Sequence, residues 1–241
     1  MYLVIDLGNT NIVFGLFKGK KLIKEWRFPS QKFKIPKVGA KIEAVIVASV
    51  VPSLDAKLRR EILKKFKRTP YFVTAKNIPL TVRLKNKKEI GADRVVDALA
   101  AYKLYGGPLV VVDFGTATTF DVISARGEYL GGAIAPGIDL ARDALYEQTA
   151  KLPRIKISAP KQVIGKNTVS AMQSGLVYGY VAMVEGMVAR LTKAIGKGKR
   201  PRVIATGGLA GLICKYTGVV DRIDTKLTLK GLQMIGEKKS G

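Results

Sequence analysis

The chain has 241 residues with one cysteine and no histidine, and 42 lysines and arginines against 18 acidic residues give a formal charge of +24. This inventory excludes disulfides, cysteine-rich zinc sites and every catalytic triad or dyad that needs histidine, so a general base has to be a carboxylate, a lysine or a tyrosine. The positive charge suits a protein that handles anions. The basic residues are scattered rather than interleaved with aromatic ones, which argues against dedicated nucleic-acid binding.

Length and hydropathy indicate two globular domains. A chain of this size fits two domains of roughly 100 to 130 residues, and hydrophobic residues make up 47% of it. Apolar runs stay well short of the ~20 residues of a membrane span, and the first run begins at Tyr2, which leaves no room for a signal peptide. We therefore expect a cytoplasmic protein with no membrane partner.

The first half of the chain is predicted to be a strand meander followed by alternating strands and helices. Apolar runs predict strands at 2–8, 12–17, 22–28 and 45–51, with shorter extended segments at 71–73 and 80–84. An amphipathic helix follows Ser53, which we expect to be its N-cap, and places Leu54, Leu58, Ile62 and Phe66 on one face. A second helix is predicted at 93–105.

The second half repeats this order. Strands are predicted at 109–114, 118–124, 128–134 and 202–205, and helices at 138–145, 169–195 and 227–235. Asn167 or Thr168 would cap the long helix, with Thr168 favoured as a cap over a ligand contact. Glycines near Gly106 mark the predicted boundary between domains 1–106 and 107–241.

Two segments share one pattern and organise the chain. VIDLGNTNIVF begins at Val4 and VVVDFGTATTFD begins at Val110, and each has an apolar run, an aspartate, a glycine and small polar residues. The aspartates, Asp6 and Asp113, head the two matching turns. The repeat predicts two domains of related plan, with the functional site in the cleft between them.

Each of these turns can bind phosphate. Glycine admits close backbone approach, successive N–H groups with threonine and asparagine side chains can hold phosphate oxygens, and Asp6 can lie near a hydrated Mg²⁺. The alternative for one copy alone is an ordinary strand exit with an Asx turn. A matching pair favours the functional interpretation, because turn chemistry does not require a pair.

A third group of residues heads the helix at 93–105. Asp93 is predicted at its N-terminal turn, where the helix dipole favours the ionised carboxylate, and Arg94 can clamp an anionic substrate. An ionised aspartate that accepts a hydroxyl proton is what phosphoryl transfer to an alcohol needs. A structural N-cap with a surface arginine is the open alternative.

These motifs together resemble the type III pantothenate kinase family, of the acetate and sugar kinase, heat-shock ATPase and actin superfamily. The resemblance rests on six segments in family order: 6–13, GADR at 91–94, DFGTATT at 113–119, GGAIAPG at 131–137, Asn167 to Gly175, and ATGG at 205–208. It implies an α/β protein with a duplicated actin-like (ribonuclease H-like) fold, two domains with mixed sheets flanked by helices, that forms a homodimer. The implied activity is ATP-dependent phosphorylation of pantothenate to 4′-phosphopantothenate, the first step of coenzyme A biosynthesis.

The resemblance also implies a role for each motif residue. Asp93 would be the catalytic proton acceptor, and Asp113 would bind an activating monovalent cation, K⁺ or NH₄⁺. Thr116 would contact ATP, and Asp6 would hold Mg²⁺ through water. The implied pantothenate site contains Gly91, Ala92, Asp93, Arg94 and, across a dimer interface, Thr168. The implied ATP phosphate site contains Asp6, Leu7, Gly8, Asn9, Thr10, Asn11, Ile12 and Val13, and the turn at Gly207 and Gly208 would lie near the adenosine.

Two neighbouring positions depart from the family pattern. Leu84 stands where the family usually carries a tyrosine, and Lys87 replaces a nearby proline, which puts the aromatic wall of the pantothenate pocket in doubt. Two alternatives therefore stay open: another small-molecule kinase of the superfamily, and a non-catalytic transcriptional accessory protein on the same fold. The presence of Asp6, Asp93 and Asp113 together argues against the second, because a binding module needs no such set.

Overall fold

A computed structural model describes residues 1–196 and 198–240. The chain forms two compact units: Met1–Leu104 with the C-terminal segment from Lys226, and Tyr105–Thr225. The strands are β1 (Tyr2–Leu7), β2 (Asn11–Lys18), β3 (Lys21–Pro29), β4 (Ala44–Ser49), β5 (Tyr71–Phe72), β6 (Thr81–Val82), β7 (Leu109–Phe114), β8 (Ala117–Ile123), β9 (Glu128–Pro136), β10 (Arg202–Gly207) and β11 (Arg222–Ile223). The helices are α1 (Pro52–Phe66), α2 (Ala92–Tyr105), α3 (Ile138–Glu147), α4 (Thr168–Ile195), α5 (Ala210–Ile213) and α6 (Leu227–Ser240), with 3₁₀ turns at Ser30–Lys32 and Cys214–Tyr216.

Both units contain a mixed sheet of one plan. In the first unit the strand order is β3-β2-β1-β4-β5, with an antiparallel β1–β2–β3 meander and β4 and β5 parallel to β1. In the second unit the order β9-β8-β7-β10-β11 repeats it, with an antiparallel meander and two parallel strands. The predicted duplication of one α/β plan is confirmed.

Helices cover both faces of the first sheet. Strand residues alternate between faces, so Leu3, Ile5 and Leu7 pack with Leu58 and Ile62 of α1 in one buried cluster. The predicted inner face of α1 is thus confirmed. On the opposite face, a side chain at Gly236 of α6 would have its Cβ 3.3 Å from Tyr2 and 3.2 Å from Ile46, so α6 packs directly against β1 and β4.

The long helix α4 supplies much of the second core. Its 3.6-residue apolar pattern buries Met172, Leu176, Val184 and Val188 against the strands of the second sheet, as predicted. The helix spans Thr168–Ile195 without a break despite three internal glycines. Packing outweighs the low helix propensity of glycine here.

The C-terminal helix belongs to the first unit, whereas the predicted division, 1–106 and 107–241, placed it in the second. A Cβ at Gly231 of α6 would lie 2.6 Å from Val96 Cγ1 of α2 and 2.7 Å from Val96 O. This close approach requires glycine and fixes α6 against α2. Sequence order gave no sign that the chain returns to its first unit.

Smaller differences concern helix starts and short elements. The helix α1 begins at Pro52 with Val51 at the N-cap position and no side-chain cap, so the prediction of Ser53 as N-cap was wrong. Proline is well suited to the first helical position because its missing N–H has no partner there in any case. The short α5 and β11 were not predicted, since neither is long enough to show a period.

Among residues 1–196 and 198–240, none of the helices combines the length and the apolar composition that crossing a bilayer requires.

Candidate active site

The Asp6 turn joins β1 to β2 at the carboxyl end of β1. Asp6 pairs with Val13 in the antiparallel ladder, and the backbone N–H of Gly8 donates to the carbonyl of Asn11 at 3.0 Å. A Cβ at Gly8 would lie 3.1 Å from that carbonyl oxygen, so glycine suits the tight turn. Asn9 and Thr10 between them are exposed. The turn therefore presents polar groups and backbone amides to a ligand in solution.

Ser30 holds this turn in place, and sequence reasoning missed it. Its backbone N–H donates to the carbonyl of Thr10 at 3.0 Å, and its hydroxyl donates to the carbonyl of Gly8 at 2.5 Å. The side chain is 1% exposed. The available signal was weak: a serine directly after Pro29, which ends the third strand.

The head of α2 lies at the same edge of the first sheet as the Asp6 turn. The backbone N–H of Val50, just after β4, donates to the carbonyl of Leu7 at 3.0 Å. A Cβ at Gly91 would lie 3.2 Å from Cγ1 of the same Val50. The Asp6 turn and the Gly91–Arg94 segment are thus neighbours at the carboxyl ends of the parallel strands β1 and β4, where sheets of this type bind ligands.

Asp93 lies within the first turn of α2 and is not its cap. The helix begins at Ala92, and Asp93 Oδ1 accepts a hydrogen bond from the adjacent backbone N–H of Arg94 at 2.8 Å. An N-cap side chain would instead accept from an N–H two or three residues later. A Cβ at Gly91 would lie only 2.5 Å from Asp93 Oδ1, so the carboxylate occupies space that glycine leaves free.

Burial raises the pKa of Asp93 above its ordinary value, although the Arg94 backbone N–H and the Arg94 charge act to lower the pKa. The predicted preference of the helix N-terminus for the ionised carboxylate is outweighed in the pKa by desolvation of the charged form. A carboxylate with a raised pKa is a stronger proton acceptor.

In the second unit, Asp113 lies against two glycines. It is the penultimate residue of β7, and a Cβ at Gly207, at the end of β10, would lie 2.4 Å from Asp113 Oδ1. Gly207 has φ +90°, a conformation that favours glycine. A Cβ at Gly115 would lie 3.4 Å from Oδ2. The carboxylate therefore sits in a cradle that larger residues would fill.

The turn after Asp113 is held by the junction of β9 and α3. Gly115 N–H donates to the carbonyl of Ala117 at 3.1 Å, and Gly137 N–H donates to the carbonyl of Thr116 at 3.1 Å. A Cβ at Gly137 would come within 2.2 Å of the Thr116 carbonyl oxygen. Gly137, the last glycine of GGAIAPG, thus lets α3 begin directly beside Thr116.

Thr168 is the first residue of α4, and Asn167 is the cap. Asn167 Oδ1 accepts from the Ser170 backbone N–H at 2.9 Å, and Ser170 Oγ accepts from the Asn167 N–H at 3.2 Å, which completes a capping box. The expectation that Thr168 acts first as a cap was wrong. The exposed side chain of Thr168 takes part neither in the contacts described around Asp93 nor in those described around Asp113.

The donor sets fit the ions that the family resemblance implies. Among the described residues no three cysteines or carboxylates gather closely enough to hold a metal ion by themselves. Mg²⁺ in phosphoryl-transfer sites usually needs one or two carboxylates plus water and substrate phosphates, so Asp6 alone is compatible. The Asp113 cradle offers a carboxylate, which is a hard oxygen ligand suited to an alkali cation, and two glycines leave space beside it.

Two grooves on the first unit lie away from these residues. One, of about 560 Å³, is lined among others by Lys41, Lys65 and Arg68, and the second, of about 480 Å³, by Lys34, Lys57 and their neighbours. None of the predicted site residues lines either groove. The chemistry of Asp6 and Asp93 identifies the site better than cavity size does.

Comparisons with known proteins agree on one family. The family model described as type III pantothenate kinase matches residues 2–190. A type III pantothenate kinase of Moorella thermoacetica is 46% identical over 256 aligned positions, covering 100% of both chains. A second, from Geotalea daltonii, is 42% identical and covers 99% of this chain and 98% of its own.

Solved structures at lower identity share the fold. A candidate Baf family transcriptional activator from Campylobacter jejuni has a TM-score of 0.65 at 22% identity and covers 98% of each chain. A candidate 2-dehydro-3-deoxygalactonokinase from Sinorhizobium meliloti has a TM-score of 0.62 at 12% identity and covers 99% of each chain. The predicted actin-like fold, shared with sugar kinases, is confirmed. Since the family model spans most of the sequence and the relatives exceed 40% identity along its whole length, the chain belongs to the type III pantothenate kinase family.

Proposed function

We propose that this chain transfers the terminal phosphoryl group of ATP to the 4′-hydroxyl of pantothenate, the first step of coenzyme A biosynthesis. The family is one of kinases, and kinase chemistry of this kind uses ATP. The observation that carries the residue assignment is the partly buried Asp93 carboxylate at the head of α2, with Gly91 leaving the space beside it free.

Asp93 is assigned as the general base. The hydroxyl oxygen of pantothenate attacks the γ-phosphorus, its proton passes to the Asp93 carboxylate, and the bond from the γ-phosphorus to the bridging oxygen breaks to release ADP. The raised pKa of Asp93 supports this role, because a proton acceptor works best when its pKa lies nearer to the working pH. A positioned base typically contributes about 10²- to 10⁴-fold in rate.

The pantothenate site is assigned to the residues around Asp93. Gly91 and Ala92 let the substrate approach the helix head, and the Arg94 guanidinium is suited to pair with the pantothenate carboxylate through two parallel hydrogen bonds. Thr168, which is exposed at the start of α4, would complete this site from a second subunit. A homodimer is therefore part of the proposal. We place this homodimer in the cytoplasm.

The ATP site is assigned to the two glycine-containing turns. The first, from Asp6 to Val13, would bind phosphates through its amides and polar side chains, and Asp6 would hold Mg²⁺ through water. In the second, Thr116 would contact ATP and Asp113 would bind K⁺ or NH₄⁺. When bound, these cations supply positive charge that neutralises the triphosphate in the transition state.

The test is an ADP-release assay with pantothenate in which only the monovalent salt varies. We expect turnover in KCl or NH₄Cl and much less in choline chloride. The Asp93→Asn variant should fold and bind ATP but lose turnover by 10²-fold or more. Glu61→Gln, which removes an exposed carboxylate on α1, is the control and should behave as wild type. Near wild-type turnover in Asp93→Asn would eliminate Asp93 as the base.

Leu84 gives a reason to test other acceptors. A panel of small alcohols assayed beside pantothenate would detect a different kinase specificity, which the missing tyrosine wall keeps open. Salt-sensitive DNA binding without ATP turnover would instead favour a transcriptional accessory protein.

A further inference from the structure

Two buried hydroxyl residues flank Asp113 on its neighbouring strands. In strand register Asp113 lies opposite Thr119 of β8 and opposite Thr206 of β10. Thr119 is 8% exposed and Thr206 is 3% exposed. Directly opposed residues of an antiparallel pair point to the same face with Cβ atoms roughly 4.5 to 5.5 Å apart. Thr119 therefore lies within reach of a ligand that Asp113 binds.

Thr119 is also the end of a buried hydrogen-bond network. The Tyr129 hydroxyl donates to Asp121 Oδ1 at 2.6 Å, and Thr119 Oγ1 lies 3.2 Å from Asp121 Oδ2 as donor to it. Asp121 and Tyr129 are each 1% exposed. The proposed phosphoryl transfer assigns no role to either residue, although the network extends to the strand position beside Asp113.

The network fixes the direction of the Thr119 hydroxyl. The Tyr129 and Thr119 hydroxyls both donate to Asp121, whose carboxyl oxygens are the acceptors. A threonine hydroxyl has one proton and two lone pairs. With the proton directed to Asp121, only lone pairs remain for the side of Asp113. Thr119 thus offers an acceptor oxygen there, which suits a cation and repels an anion.

We propose that Thr119 is a further oxygen ligand of the monovalent cation at Asp113, and that Asp121 is the positioning residue that orients its hydroxyl. The inference rests on the proposed function, because it requires the cation at Asp113. The expected occupant is an alkali or ammonium ion. A lone-pair oxygen next to a carboxylate can coordinate an alkali ion and can accept a hydrogen bond from an ammonium ion.

The test compares Thr119→Val, Thr119→Ser and Asp121→Asn by two measurements. One is the K⁺ concentration that gives half-maximal turnover. The other is the melting temperature in KCl against choline chloride at equal ionic strength, which reports cation binding without catalysis. We expect Thr119→Val and Asp121→Asn to raise the half-maximal K⁺ concentration about 10-fold or more, to keep most of kcat at saturating K⁺, and to lose the stabilisation specific to KCl. Thr119→Ser, which keeps the hydroxyl, should retain both.

Thr118→Val is the matched control. Thr118 is a neighbouring threonine of β8 that alternation directs to the opposite face of the sheet. Its side chain is fully buried, and Oγ1 has no hydrogen-bond partner among the described residues. This variant should leave the cation dependence unchanged.

Three outcomes distinguish a role of Thr119 in cation binding from a purely structural role of the network. If Thr119→Val lowers the melting temperature equally in both salts and leaves the half-maximal K⁺ concentration unchanged, the network is structural and the inference is overturned. If wild type shows no K⁺ dependence, or Asp113→Asn keeps the KCl effect, the Asp113 assignment fails and the inference fails with it. Should Asp121→Asn not fold, the contrast between Thr119→Val and Thr119→Ser still decides.

Discussion

Gly91→Ala displaces the proposed base without changing its chemistry. The new Cβ would lie 2.5 Å from Asp93 Oδ1, whereas ordinary van der Waals contact begins at 3.4 Å. The carboxylate must therefore retreat by about 0.9 Å, the difference of these two distances. Because Val50 Cγ1 lies 3.2 Å away on another side, the methyl group itself has little freedom to yield. Misplacement by about 1 Å of a reacting group can cost roughly 100-fold in rate.

The expected result is a 10- to 100-fold lower kcat in ADP release with the KM for ATP unchanged. Folding should be preserved, because the displaced atom is the end of a side chain and Gly91 has no left-handed φ that alanine would strain. The melting temperature should therefore stay within a few degrees of wild type. Gly39→Ala is the control, since a Cβ there meets no atom within 4 Å.

Wild-type kcat in Gly91→Ala would refute this reasoning, since the carboxylate would then tolerate a displacement that a positioned base cannot. A lower kcat accompanied by an equal loss in Gly39→Ala would refute it as well, because the effect would not depend on the contact with Asp93.

Three further predictions concern pH, the Asp113 cradle and the C-terminal helix. Because burial raises the pKa of Asp93, the acid limb of the kcat/KM profile should fall at a higher pH than an ordinary aspartate gives, and a limb at the ordinary value would contradict the assignment. The same shift means that the ionised form costs stability, so the stability of wild type relative to Asp93→Asn should fall as pH rises through this pKa, measured by urea unfolding at several pH values. Gly207→Ala should lower the free energy of unfolding by about 1 to 2 kcal/mol or more, since φ is +90° and the Cβ would lie 2.6 Å from the Phe114 backbone; an unchanged urea midpoint would show that the turn relaxes freely. Gly231→Ala should destabilise although alanine gains about 1 kcal/mol in helix propensity, because its Cβ would lie 2.6 Å from Val96 Cγ1; a higher melting temperature would contradict this close packing.

Local sequence patterns were enough to predict many of the strands and helices. The apolar runs and the 3.6-residue period of α4 were read correctly because burial of one face imposes that spacing on the sequence. The residues at which helices begin were predicted less accurately. The helix α1 begins at Pro52 where Ser53 was expected as its cap, because proline suits the first helical position. Asn167 rather than Thr168 caps α4, and because both residue types favour this position, backbone geometry decides between them.

The candidate site was partly predictable. The Asp6 and Asp113 turns follow from the repeated motif, but Ser30, which holds the first turn, lies in the 3₁₀ turn after β3 and has no motif of its own. The sequence also did not predict the direction of the Asp93 pKa shift. Helix position predicts a favourable dipole, whereas the opposing desolvation depends on which neighbours cover the carboxylate.

By itself the sequence determined the family, the duplicated α/β plan and the three aspartates that carry the proposed chemistry, because these depend on residue identity and short-range spacing. Tertiary structure decided that the C-terminal helix returns to the first unit through Gly231 and that the Ser30 hydroxyl donates to the carbonyl of Gly8 in the Asp6 turn. Both are contacts between residues that local patterns cannot relate. Which groups meet, and with what donor and acceptor direction, is fixed only when the chain packs.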